Sequence, residues 1–112
     1  MKQLIPRKFE RKRCVGEAVV RALPAGPAQS AQVLDLGCSG LALFVGQGMA
    51  KGQAVEITFR INAAAAARGL DKRMGQVVRS RANPDGNVVG VSFSEPFAEE
   101  ELRLLDQNWI RS

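Results

Sequence analysis

The stretch "QAVEITFRI", Gln53 to Ile61, alternates without a break. Val55, Ile57, Phe59 and Ile61 fall on one side of an extended chain, and Glu56, Thr58 and Arg60 fall on the other. A period of two gathers the apolar residues only if the segment is a strand, since a helix would scatter them around its circumference. One face must then be buried, and both edges need partners.

The rest of the chain supplies those partners. "VGEAVVRAL" (Val15 to Leu23) is rich in β-branched residues and stops at Pro24. "PAGPAQS" (Pro24 to Ser30) is expected to be a loop. Ala31 to Leu36 and Leu41 to Val45 read as two further strands, and "GQGMAKG" ends the second. "MGQVVRSR" (Met74 to Arg81) enters a turn at Pro84-Asp85-Gly86 and leaves through "VVGVSF" (Val88 to Phe93). Proline presets φ there and glycine permits φ > 0, the chemistry of a hairpin. Val89, Val91 and Phe93 are expected on one face. The alanine tract from Ala63 to Ala67 suits a loop or one helical turn.

Near the end the period changes. In "SEPFAEEELRLLDQNWI", Pro96 and three acids, Glu99 to Glu101, suit the first turn of a helix. Leu102, Leu105 and Trp109 then form one apolar stripe, widened by Leu104. The spacing predicts a short amphipathic helix over about 96–110, packed on the β-body. Phe44 and Trp109 are expected in the core. Six short antiparallel strands and a helix suggest a small all-β barrel or a sandwich. A length of 112 residues suits one domain.

Charge divides that domain from its N-terminus. Residues 1–13 hold six basic side chains against the single acid Glu10, which accounts for the whole net charge of +5. The expected organisation is a basic arm, 1–13, on a single neutral domain, 14–112. Such an arm attracts phosphates. It lacks an apolar run and a cleavage site, so it does not read as a secretory signal, and the expected location is the cytoplasm. No apolar run is long enough for a membrane span.

Several functions are disfavoured. The chain has no histidine, so no Ser-His or Cys-His nucleophile can be assembled, and the expectation is a protein that is not an enzyme. Two cysteines without histidine make a poor zinc site, and Cys14 and Cys38 read as ordinary reduced thiols. Aromatics are only 5% of residues, which leaves little to stack the bases of a nucleic acid.

Three features could carry chemistry. "RKFER" sets Arg7 and Arg11 four apart, and arginine forks match phosphate and the O6/N7 edge of guanine. "DLGCSG" crowds Asp35, Gly37, Ser39 and Gly40 into one strand connection. Asp35 could accept from guanine N1–H and N2–H2, and the glycines could admit a flat ligand or a phosphate. Arg79, in "GQVVR", could point to the same surface. Taken singly, each has a plainer reading: a solvated tail, a tight turn in which Asp35 bonds its own amides, and a solvent-facing strand arginine.

Together, and in this order, "RKFER", "DLGCSG", "GQVVR" and "GVSF" resemble the PilZ domain family, receptors for the second messenger cyclic di-GMP. The resemblance runs from Arg7 to about Trp109. It implies a six-stranded antiparallel β-barrel with a helix across it and an arm that folds over the ligand. Arg7 and Arg11 would take a guanine edge and phosphates, Asp35 would bond guanine, and Gly40 would allow close backbone approach. It also implies a non-enzymatic receptor with no cofactor, coupled to an effector protein in motility, pilus, biofilm or exopolysaccharide control.

The family pattern has serine where this chain has Gly37. Losing one neutral hydrogen bond costs about 0.5–1.5 kcal/mol, a weakening of up to roughly tenfold. Ser39, two positions later, is the candidate substitute. That departure leaves a second outcome open, an interaction adaptor that no longer binds cyclic di-GMP. Pro6 stands where many members carry another arginine, which leans toward one ligand per chain.

Overall fold

A computed structural model describes residues 15–111, so the basic arm, with Arg7 and Arg11, and Cys14 lie outside the described residues. Six strands, β1 (Gly16–Ala22), β2 (Ala28–Leu36), β3 (Gly40–Val45), β4 (Ala54–Phe59), β5 (Lys72–Asn83) and β6 (Gly86–Phe93), form a closed antiparallel barrel. Around the barrel the order is β1-β2-β3-β6-β5-β4. Of the two all-β architectures the sequence allows, the chain adopts the barrel, which leaves no strand edge unpaired.

Alternation builds the core. Val55, Ile57 and Phe59 of β4 point inward with Ile61 just beyond, as their spacing requires, and so do Val89, Val91 and Phe93 of β6. Val20, Val33, Leu43, Val45 and Val77 fill the space between them. Burying each such side chain contributes about 1.5–3 kcal/mol.

On the outer face, Arg21 of β1 stands opposite Glu56 of β4, Nη2 to Oε1 at 2.8 Å. The hydrogen bond from Arg21 holds the Glu56 carboxyl below the usual glutamate range.

One open end of the barrel is closed by aromatic rings and a helix. The alanine tract makes one helical turn, α1 (Ala63–Ala66), and the C-terminal helix is α2 (Glu99–Asp106). Leu105 of α2 is fully buried, and Phe59, Phe93, Phe97 and Trp109 pack in a chain with centroids 5.5–6.0 Å apart. The Arg73 guanidinium lies 3.8 Å from the Phe97 ring centroid.

Four expectations need correction. The helix is shorter than 96–110. It begins after Ala98, whose N–H donates to the Glu101 carboxylate. It stops where the Asn108 amide donates to the Leu104 carbonyl, satisfying a group the next turn would have used. Trp109 is buried as expected, but beyond the helix, in a bridge to Ile61. Phe44 is not in the core: Leu41, Leu43 and Val45 take the inward positions of β3, which leaves Phe44 half-buried outside. The supposed loop Pro24 to Ser30 ends early, because β1 pairs with β2 as far as Arg21 opposite Ala28. β5 likewise outruns Met74 to Arg81 at both ends, since β4 pairs with it from Lys72 and β6 to Asn83.

Candidate functional site

Two strands of the barrel break their alternation, and each break delivers a charged side chain to the surface. In β2, Val33 faces Leu43 and Asp35 faces Ala42, so Leu34 is an extra residue. Without that bulge Asp35 would share the inward side of Val33. With it, Leu34 is buried and Asp35 is exposed. In β5, Val77 faces Val91 and Arg79 faces Gly90, so Val78 is the extra residue. Val77 stays inside, and Arg79 is turned out.

The two charges lie on one row across the sheet: Asp35 on β2, Ala42 on β3, Gly90 on β6, Arg79 on β5. Three strand spacings separate the ends of that row, about 14 Å between Cα atoms. The two middle residues are the smallest available. A Cβ built on Gly90 would sit 3.5 Å from Arg79 Cβ and 3.6 Å from its Nε, so the arginine side chain lies across the bare glycine. The result is a groove of about 530 Å3 with an acid at one end, a guanidinium at the other and a flat floor.

Asp35, Gly37, Ser39, Gly40 and Arg79 all line this groove, so five of the seven sequence-predicted site residues come together. The other two, Arg7 and Arg11, lie outside the described residues. The β2–β3 turn is closed by main chain rather than by Asp35: Gly37 N–H donates to the Gly40 carbonyl at 2.9 Å. Phe97 N–H donates to the Cys38 carbonyl at 2.8 Å, and Phe93 N–H to the Ser39 carbonyl at 2.9 Å. This leaves the Asp35 carboxylate with no hydrogen-bond or ion-pair partner among the described residues.

The two turn glycines differ. A Cβ on Gly40 would collide with the Val91 carbonyl oxygen, so β3 and β6 approach closely only because that position is bare. Gly40 therefore has a packing reason independent of any ligand. A Cβ on Gly37 would meet nothing nearer than the Gly40 carbonyl at 3.8 Å.

Sequence reasoning missed Ala42, Val78, Arg81, Asn83, Val88 and Gly90, which line the same groove. A signal for part of it exists. "VLD" and the "VVR" of Val77 to Arg79 each set two apolar residues before a charge, as an inserted residue does, although the "VVR" of Val19 to Arg21 in β1 does so with unbroken alternation.

Among the described residues, no cluster of histidine, cysteine, aspartate or glutamate could hold a metal ion, and no helix is long and apolar enough to cross a membrane. No curated protein matches the chain. The family model of the PilZ domain matches residues 6–110, a span that takes in Arg7, Arg11 and every strand of the barrel. The chain belongs to the PilZ family, the family of cyclic di-GMP receptor domains.

Proposed function

We infer that the groove across β2, β3, β6 and β5 binds cyclic di-GMP, and that the protein is a non-enzymatic receptor. The observation that carries this reading is the shared row of Asp35 and Arg79, each turned outward by its own bulge over an Ala42–Gly90 floor. A carboxylate complements guanine N1–H and N2–H2. A guanidinium complements phosphate or the O6/N7 edge. The small floor residues leave room for a flat base.

The arm supplies the remaining cations. Val15 N–H donates to the Val33 carbonyl, two residues before Asp35. β1 and β2 are antiparallel, so Val15, at the start of the described chain, sits beside the stretch of β2 that leads to Asp35. Arg11 lies four residues before Val15, a reach of at most about 14 Å, enough to bring it beside Asp35. Arg7 and Arg11 close over the bound dinucleotide. Ordering of the arm then presents a new surface to an effector protein in the cytoplasm, in control of motility, pili, biofilm or exopolysaccharide. The ordering cost is offset by charge-assisted hydrogen bonds to the ligand.

The test is calorimetric titration with cyclic di-GMP of the wild type, Arg11→Ala and Arg79→Ala, with GTP as control. Selective binding that weakens about tenfold or more in each variant is expected, since hydrogen bonds to charged groups are worth about 1.5–3 kcal/mol. Equal affinity in all three proteins overturns the assignment. Gly37 in the serine position favours a second reading, an adaptor that holds its effector without nucleotide. A stable partner captured from lysate, together with no heat from the wild type, selects it.

A further inference from the structure

The groove continues past the residues that the sequence points to. Beyond Arg79, β5 runs four residues further, and Arg81 and Asn83 line the same hollow. Arg81 stands opposite Val88, whose side chain extends the apolar floor, and Asn83 stands opposite Gly86, which has none. The Asn83 Nδ2 is buried and has no hydrogen-bond partner among the described residues. Burial strips such a donor of water, so buried amides are normally paired. Arg81 beside it is exposed and offers only donors. The groove is therefore polarised in its hydrogen bonding, with the acceptor Asp35 at one end and, at the other, the donor-only Arg79 and Arg81 beside the unpartnered Nδ2 of Asn83.

We propose that Arg81 and Asn83 form a second subsite that takes an acceptor-only edge of the bound dinucleotide. The subsite rests on the groove being a cyclic di-GMP site. Two parts of that ligand present such an edge, the phosphodiester oxygens and the O6/N7 side of the second guanine. Adenine does not, because it sets its N6 amino donor beside N7.

Calorimetry of four proteins with two ligands tests this: wild type, Arg79→Ala, Arg81→Ala and Asn83→Asp, each with cyclic di-GMP and with the mixed cyclic GMP–AMP. Aspartate suits the residue before the Pro84-Asp85 turn as well as asparagine does, so a purely structural role for Asn83 survives that change. An unchanged thermal midpoint checks it. Facing acceptors, the new carboxylate should weaken cyclic di-GMP binding about tenfold or more, and Arg81→Ala should do so by a similar factor.

If the edge is guanine, the wild-type preference for cyclic di-GMP over the mixed ligand narrows in both variants. If it is phosphate, both ligands weaken in proportion and the preference stays. Unchanged affinities in Arg81→Ala and Asn83→Asp, with Arg79→Ala weakened, overturn the subsite alone. A wild type that binds neither ligand overturns the parent reading, and the subsite with it.

Discussion

Replacing Gly37 with serine should tighten cyclic di-GMP binding without harming the fold. The position is open: a Cβ there meets only the Gly40 carbonyl, at the ordinary contact distance of 3.8 Å. Gly37 is also not among the glycines with positive φ, so an L side chain carries no backbone strain. Serine should even restrain the unfolded chain, as Gly→Ala changes do by about 0.4–1 kcal/mol at compatible sites. Gly37 lines the groove two residues from Asp35, so a hydroxyl added there is within reach of a ligand seated in it. One added neutral hydrogen bond is worth about 0.5–1.5 kcal/mol, or about two- to twelvefold in affinity. Calorimetry gives the affinity, and a melting curve shows whether the turn is intact. An intact fold with unchanged or weaker binding would refute the reasoning. In that case the hydroxyl points at the Gly40 carbonyl rather than at ligand, and the departure from the family pattern carries no binding cost.

Two further outcomes follow from the packing. Gly40→Ala should lower stability by about 1–3 kcal/mol, because the added methyl meets the Val91 backbone, which cannot step aside as a flexible side chain could; a melting point equal to wild type would sink this account of the β3–β6 contact. Glu56→Gln should flatten the acid limb of stability. The hydrogen bond from Arg21 depresses the folded-state Glu56 pKa, so its stabilisation is present above the ordinary glutamate range and fades as pH falls through the depressed value. The gap in melting temperature between wild type and variant should therefore shrink on acidification, and a gap constant from pH 7 to pH 3 would contradict it.

What the sequence shows and what it hides divide along physical lines. The β4 strand was legible because one period holds from Val55 to Ile61 and only one fold element satisfies it. The β5–β6 hairpin was legible through the chemistry of Pro84-Asp85-Gly86. The extent of β2 was not, because Pro24, Gly26 and Pro27 signal a loop while pairing with β1 decides where the loop ends. Trp109 continues the helical stripe on paper, but Asn108 caps the helix before the stripe reaches it. The convergence of Asp35, Gly37, Ser39, Gly40 and Arg79 on one groove could be anticipated only through the ordered set of motifs, since strand order around the barrel is what puts Asp35 and Arg79 on one row. Arg81 and Asn83 carry no motif, and only the register of β5 against β6 places them in the groove.

The bulges at Leu34 and Val78 also determine which genetic changes the surface can absorb. A missense change at Asp35 or Arg79 alters the chemistry offered to a ligand and leaves the strand's parity untouched. Loss of the single codon for Leu34 instead removes a buried side chain and the bulge together. No side chain of the groove is replaced, and Val33 then precedes Asp35 directly, so ordinary alternation still turns Asp35 outward opposite Ala42. In this protein recognition can drift by substitution, whereas deletion of Leu34 is felt first as lost packing, with the outward parity of the groove kept.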